Sequence, residues 1–186
     1  MRRIRAGVIG VLGLANVAVA CLIWLTGNNP LALGSWQRGA GALGNLAGLT
    51  AGSLLALQLL AMARIGPVER ALGRDALAAG HRRLAIASMS CLAAHVALTA
   101  AERIAREPAR IIPTVGGLFA TRPWMLFATI GTAALVLVAA TSARAARDRL
   151  RRESWHLLHL YSYLGAAMSF PHMVFGGADL HRAWAR

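Results

Sequence analysis

The chain has 186 residues, 57% of them hydrophobic, and a mean hydropathy of +0.53, which is more apolar than a soluble domain of this length needs and predicts lipid surroundings. The formal net charge is +13, and all 20 basic residues are arginines. Because these arginines cluster at the ends of apolar runs, they indicate membrane topology and count against a nucleic-acid partner.

The first predicted helix covers residues 6–26 and follows a basic start, residues 1–5. A cleaved signal peptide is the alternative, because residues 18–21 (AVAC) loosely resemble a lipoprotein cleavage site. The apolar run continues past that point and reaches about 20 residues, enough to cross ~30 Å of hydrocarbon. We therefore interpret it as a retained membrane span.

A stripe of glycines marks the second predicted span. Gly44, Gly48 and Gly52 follow one another at four-residue spacing, which clears one helical face. Close packing of a neighbouring helix is the favoured interpretation, and a porphyrin against that face is the alternative. In chain order, the sequence predicts a loop at 27–41, the second span at 42–63, a basic connection at 64–83, the third span at 81–101, a loop or short surface helix at 102–123 and the fourth span at 124–141.

Histidines distinguish the third and fifth predicted spans. The fifth span runs from Trp155 to Phe175 and carries three histidines, and the third carries two. An ionisable side chain within a span is costly and is kept where it meets a partner, so these histidines predict a bound ligand. They are His81 and His95 in the third span and His156, His159 and His172 in the fifth.

The arginines also predict an orientation. The N-terminus and the connections at 64–83 and 142–154 hold 13 of them, and the remaining loops and tail hold 7. By the positive-inside rule the N-terminus is cytoplasmic, and the protein is a multi-pass component of the inner (cytoplasmic) membrane. The third and fifth helices then both run outward. The pair His81 and His159 lies near the cytoplasmic face, and the pair His95 and His172 lies about 20 Å further along.

The ligand chemistry favours haem. Imidazole binds iron, copper and zinc, but no carboxylate or thiolate lies near either pair to complete a tetrahedral zinc site. Two facing histidines suit the two axial positions of a haem, whose iron then transfers electrons and does not bind oxygen directly. The alternative is that these histidines are polar residues hydrogen-bonded between helices.

The helical phase fits one pair of histidines better than the other. His81 and His95 lie within about 40° of one face, whereas His159 and His172 are about 140° apart on an ideal helix. Pro171 is expected to bend or locally unwind the turn before His172 and so shift the phase. His156 shares a face with His159 and is the rival ligand, although its place beside the basic connection also suits an interfacial role.

Two stretches resemble a known family. They are RLRRESWHLLHLYSYLGAAMSFPHMVFGG, residues 149–177, and GHRRLAIASMSCLAAHVAL, residues 80–98. They resemble the ferric reductase-like transmembrane domain shared by ferric reductases, NADPH oxidases and the haem subunit of a bacterial methionine sulfoxide reductase system, and look closest to a bacterial branch. The family spacing, 13 residues between two histidines and 12 between the other two, matches His81, His95, His159 and His172. The resemblance covers residues 44–177.

The resemblance implies an all-α bundle of six helices, of which five are predicted in this sequence, with two b-type haems between the third and fifth. Electrons would pass outward from a cytoplasmic flavin. The family's sixth helix and its FAD- and NAD(P)-binding region have no counterpart in the single domain predicted for residues 1–186, so the flavin (FAD or FMN) and NAD(P)H are expected to act through a partner flavoprotein or a further domain. Reductase activity of this chain alone is therefore left open, and no catalytic residue is assigned.

Two function classes besides electron transfer stay open at this point. One is a non-haem membrane scaffold or small-solute transporter, and the other is a haem-based sensor. Broken helices and internal repeats, which are typical of transporters, are not evident apart from Pro171. Cys21 and Cys91 lie in apolar runs and receive no role.

Overall fold

The computed structural model describes residues 2–27, 34–106, 108, 117 and 121–176, and side chains from residue 7 onward. The regular elements in this part of the chain are helices. In chain order they are α1 (Arg2–Gly27), α2 (Trp36–Met62), α3 (Gly66–Leu72), α4 (Arg74–Arg106), α5 (Pro123–Ser142), α6 (Arg144–Arg147) and α7 (Arg152–Gly176).

Among the described residues, four helices are long and apolar enough to cross a membrane: α1 over Gly7–Thr26, α2, α4 and α5. Their large apolar side chains are widely exposed, with Leu14 at 73% and Ile86 at 66%, as expected where lipid is the solvent. The fifth predicted helix is present as α7, but its histidines, tyrosines and serines lower its mean hydropathy, and it is not one of these four helices. The protein is a helical, multi-pass membrane domain.

Two helices begin earlier than the sequence indicated. The predicted loop at 27–41 is wrong for residues 36–41, because α2 already starts at Trp36, where the backbone N–H of Arg38 donates to the Ser35 hydroxyl at 3.4 Å and caps the helix. The predicted connection at 64–83 contains α3 and the first turns of α4. Gly73, with φ 82°, adopts the left-handed conformation that separates these two helices.

The described residues fall into two compact units, one up to Arg106 and the other from position 108 onward. In the first unit, α1 and α4 pack on α2 around a small apolar core. Ile9 of α1 lies against Gly80 of α4, where an added Cβ would come within 2.6 Å of its Cγ2. Glycine at position 80 therefore permits this close approach. The core comprises Ile9, Leu54, Leu77 and Leu84.

The glycine stripe of α2 packs against α4. A Cβ at Gly44 would lie 2.9 Å from Cγ2 of Thr99, and a Cβ at Gly41 would overlap the carboxylate of Glu102. The interpretation of the stripe as a helix-packing face is confirmed at Gly44 and Gly48, because side chains of α4 occupy the space that these two glycines leave. Small residues at such a face allow close van der Waals contact, which drives helix association in lipid.

In the second unit, α5 packs on α7 through another pair of glycines. A Cβ at Gly131 would lie 2.7 Å from the Gly165 carbonyl oxygen, and a Cβ at Gly165 would lie 2.8 Å from Cγ of Leu135. Beside them, the Ser169 hydroxyl donates to the Gly165 carbonyl at 2.8 Å. The two helix backbones therefore meet near the middle of α7.

Helix α7 continues through Pro171 to Gly176. The local unwinding proposed for this turn is wrong, because the loss of one backbone hydrogen bond at a proline is tolerated when the flanking turns remain helical. The alternative, a bend at Pro171, stays a prediction.

Candidate functional site

His95 lies on α4 and is partly buried against α2. Its Nδ1 is 2.7 Å from the carbonyl oxygen of Gly44. A carbonyl only accepts hydrogen bonds, so Nδ1 must carry the proton and donate it. In that tautomer Nε2 carries the lone pair that a metal ion would bind, and the donated hydrogen bond fixes the orientation of the ring.

His81 makes the same kind of contact nearer the start of α4. Its Nδ1 lies 3.3 Å from the carbonyl oxygen of Gln58, also on α2. The two histidines therefore share one face of α4, as their spacing predicted, and this face is turned to α2. At ~1.5 Å per residue they are about 21 Å apart along the helix. The same tautomer follows for both, with the lone pair on Nε2.

A glycine of α2 makes room for the His95 ring. A Cβ at Gly48 would lie 2.6 Å from Nδ1 and 2.9 Å from Cε1 of His95, which is closer than real Cβ contacts. Glycine at position 48 is thus a steric requirement of this ring position. The sequence pointed to Gly48 as a packing residue, but its contact with a candidate ligand depends on the register of α2 against α4.

Gln58 is a residue that the sequence analysis missed. Its side chain is 6% exposed, and its Oε1 is buried without a hydrogen-bond partner among the described residues. Its backbone carbonyl oxygen lies 3.3 Å from Nδ1 of His81. The available signal was a glutamine inside an otherwise apolar span.

His159 is held in the second unit by contacts from two helices. Its ring stacks on that of Trp155, one turn earlier on α7, with centroids 4.9 Å apart and planes 24° apart. The hydroxyl of Ser142, the last residue of α5, lies 3.3 Å from Nδ1 of His159. The guanidinium carbon of Arg147 lies over the Trp155 ring, 5.0 Å from its centroid. The sequence predicted none of these three partners.

His156 and His172 differ in their surroundings. His156, the rival ligand on α7, is exposed, whereas His159 and His172 are partly buried. The His172 ring lies against the next turn, where a Cβ at Gly176 would come within 2.8 Å of its Nδ1. Near that end of the second unit, Trp124 of α5 and Phe175 of α7 place their ring centroids 6.1 Å apart.

In each unit, an open cavity lies among the described residues at helix ends. The cavity in the first unit, of about 390 Å³, lies between the start of α2 and the end of α4. The cavity in the second unit, of about 530 Å³, adjoins the Trp155 and His159 stack. The first is lined by Ser35, Gln37, Arg38, Ala105 and Arg106, and the second by Arg147, Asp148, Leu150, Arg152 and Trp155.

The donor set can be compared with the needs of a metal group. Within the described ranges, no three histidine, cysteine, aspartate or glutamate side chains come together to hold a metal ion. The candidate ligands instead lie on single helices, 14 residues apart on α4 and 13 apart on α7. Separate imidazoles, with Nδ1 protonated on α4, have the chemistry required of axial haem ligands, so these residues fit such a group.

Comparisons with known proteins agree with the resemblance seen in the sequence. A family model described as ferric reductase like transmembrane component matches residues 47–170, about two thirds of the chain. Comparisons with curated proteins and with solved structures gave no match. The matched region contains His81, His95 and His159 and ends just before His172. The chain belongs to the ferric reductase-like transmembrane family.

Proposed function

We propose that this protein transfers electrons across the membrane through two b-type haems. One haem would take His81 and His159 as axial ligands, and the other His95 and His172. Membership of the family indicates transmembrane electron transfer in general. The proposal adds the cofactors, the four ligands and the direction, from a cytoplasmic flavin or NAD(P)H-dependent donor to an acceptor on the outer side.

The observation that carries the proposal is a hydrogen bond to α2 that both α4 histidines make. Each presents Nδ1 to a backbone carbonyl of α2, at 2.7 Å for His95 and 3.3 Å for His81. A hydrogen bond of this kind fixes the tautomer and the ring orientation, and it commonly accompanies histidines that bind metals. Both imidazoles donate from Nδ1 and leave Nε2 available, which supports two metal-ligand positions at different depths of the membrane.

When bound, a bis-histidine haem supplies a one-electron ferric/ferrous couple with both axial positions filled. The positions of the histidines would determine at which depth of the membrane each haem lies. The histidines of α4 are about 21 Å apart along the helix, so they would serve opposite halves of a hydrocarbon layer of ~30 Å. The glycine contacts of α2 keep the His95 ring in place.

The arginine distribution supports an orientation with the N-terminus in the cytoplasm. His81 and His159 would then form the inner pair, near the arginine-rich segments 64–83 and 142–154. The positive charge of those segments would attract an anionic flavin or an acidic flavoprotein to the cytoplasmic surface of the protein. We propose the cytoplasmic membrane as the location and a separate or covalently linked flavoprotein as the electron donor.

Single histidine variants test the cofactors and the pairing. Purified protein should contain two six-coordinate b-type haems, measured by absorption spectroscopy and by haem-to-protein ratio. His81→Ala and His159→Ala should each remove one haem, identified by its midpoint potential, and His95→Ala and His172→Ala should each remove the other. His156→Ala is the matched control and should retain both haems.

Three results would contradict the proposal. A colourless protein purified from haem-replete cells would show that the protein does not bind the proposed haems. Loss of a haem in His156→Ala but not in His159→Ala would move the inner ligand by one turn of α7. Loss of different haems in His81→Ala and His159→Ala would break the pairing.

A further inference from the structure

Arg147 of α6 and two side chains in the first turns of α7, Trp155 and His159, form a stack that ends on His159. The guanidinium of Arg147 lies over the indole of Trp155 at 5.0 Å, and that indole stacks on the His159 imidazole at 4.9 Å with the planes 24° apart. Near-parallel rings at this separation attract each other, and an arginine over an indole adds a cation–π contact. The stack thus joins a basic surface segment to a candidate haem ligand.

Within the part of the chain that the structure describes, no hydrogen bond holds the indole in this position. Trp155 is partly buried, and its Nε1 is buried without a hydrogen-bond partner among the described residues. The orientation of the ring is therefore set by packing and by its contacts with Arg147 and His159. Because those contacts act through ring faces, rotation of the imidazole about its Cβ–Cγ bond would disrupt them.

A second contact restricts the same imidazole from its edge. The Ser142 hydroxyl lies 3.3 Å from Nδ1 of His159, while Trp155 covers a face of the ring. An edge contact and a face contact together define the plane of the imidazole. The hydrogen bonds described for His81 and His95 go instead to backbone carbonyls of α2.

We infer that Trp155 is a positioning residue for His159 that fixes the plane of its imidazole ring. This inference rests on the proposed function, in which His159 is an axial ligand. The angle between the two axial imidazole planes determines the g-values of a low-spin ferric haem, so a change at Trp155 should be visible in the spectrum of one haem only. The adjoining cavity, lined by Trp155 and Arg147, makes the same indole accessible from the basic segment.

The test compares low-temperature electron paramagnetic resonance spectra and midpoint potentials of the oxidised, haem-loaded protein. His159→Ala identifies the signal of the haem in question. Trp155→Leu should shift or broaden the largest g-value of that signal and change its potential, while the other haem keeps wild-type values. Trp155→Phe retains an aromatic ring in the stack and should restore the wild-type signal. Tyr163→Leu, which removes an exposed ring from the same helix, is the matched control.

The outcomes separate this inference from the proposed function. A wild-type protein without haem would overturn both. Haem-loaded Trp155→Leu with both signals unchanged, or with changes no larger than those of Tyr163→Leu, would overturn only the role of Trp155. Should Trp155→Leu not accumulate, Trp155→Met provides the same comparison. If neither accumulates while Tyr163→Leu does, Trp155 is required for folding and its positioning role is rejected.

Discussion

Gly48 tests the geometry of the site at the scale of single residues. Gly48→Ala would place a methyl group 2.6 Å from Nδ1 of His95, so the ring or the backbone of α2 must move. Overpacking of this kind typically costs about 1–3 kcal/mol. We expect lower thermal stability in detergent and a selective loss of the haem assigned to His95, measured by haem-to-protein ratio.

Gly39→Ala is the matched control on the same helix, because nothing lies within 4 Å of a Cβ at that position. Alanine is a better helix former than glycine by up to about 1 kcal/mol, so this variant should be as stable as wild type or more so. Equal haem content in Gly48→Ala and Gly39→Ala would contradict this prediction, because it would mean that the His95 ring tolerates a methyl group at position 48.

At this scale the sequence predicted which residue types matter but not their partners. The spacing of His81 and His95 predicted a shared face of α4, which their contacts with α2 confirm. The Gly44 and Gln58 carbonyls, the Ser142 hydroxyl and the Arg147 contact were not predicted. Each depends on the register between segments that are distant or irregular in the chain, and the helical period within one segment carries no information about that register.

At the scale of helices, the packing of α5 on α7 can be tested with one substitution at their glycine contact. Gly165 lies between His159 and His172, and a Cβ there would come within 2.8 Å of Leu135 Cγ and 3.0 Å of the Gly131 carbonyl oxygen. Gly165→Val should therefore displace α7 from α5. Since both α7 histidines move with the helix, we expect weakened binding of both haems, whereas each ligand variant should affect one.

Ala167→Val is the control for this change, because Ala167 is exposed on the same helix. It should keep both haems and a wild-type absorption spectrum. Loss of only one haem in Gly165→Val would mean that the two ends of α7 respond independently, contrary to this prediction.

The helices themselves were largely predictable. Apolar runs gave α1, α5 and α7 to within a few residues, because length and hydrophobicity determine a membrane helix. The start of α2 was missed because the Ser35 cap lies in a stretch rich in glycine, and α3 was missed because Gly66–Leu72 is short and charged. These boundaries depend on local capping, to which an apolar run is insensitive.

For the whole molecule, the prediction concerns the electron donor. The 186-residue sequence contains no nucleotide-binding fingerprint, so we expect NAD(P)H alone to leave the haems oxidised. Reduced flavin or a flavoprotein should reduce them, the inner haem first. The rate with an anionic donor should fall as salt rises from 0.01 M to 0.15 M, because the screening length shortens from ~30 Å to ~8 Å. Anaerobic stopped-flow absorbance measures each step.

A neutral donor of similar potential provides the control and should show little salt dependence. Rapid reduction by NADPH without flavin would contradict the need for a donor. In vesicles of defined orientation, reduction of an acceptor on the outer side should require both histidine pairs. Transfer that persists without His95 and His172 would contradict the assigned path.

The hydrogen bonds of His81 and His95 with α2 have a consequence for how this protein tolerates mutation. Their acceptors are main-chain oxygens, which remain whatever side chain occupies position 44 or 58. Substitution along α2 therefore leaves the imidazole tautomers intact as long as the helix keeps its distance from α4. What limits α2 is volume, so the permitted residues should narrow to the smallest at 44 and 48. The tautomers of these imidazoles therefore depend on the distance between α2 and α4 and not on the identity of a polar side chain.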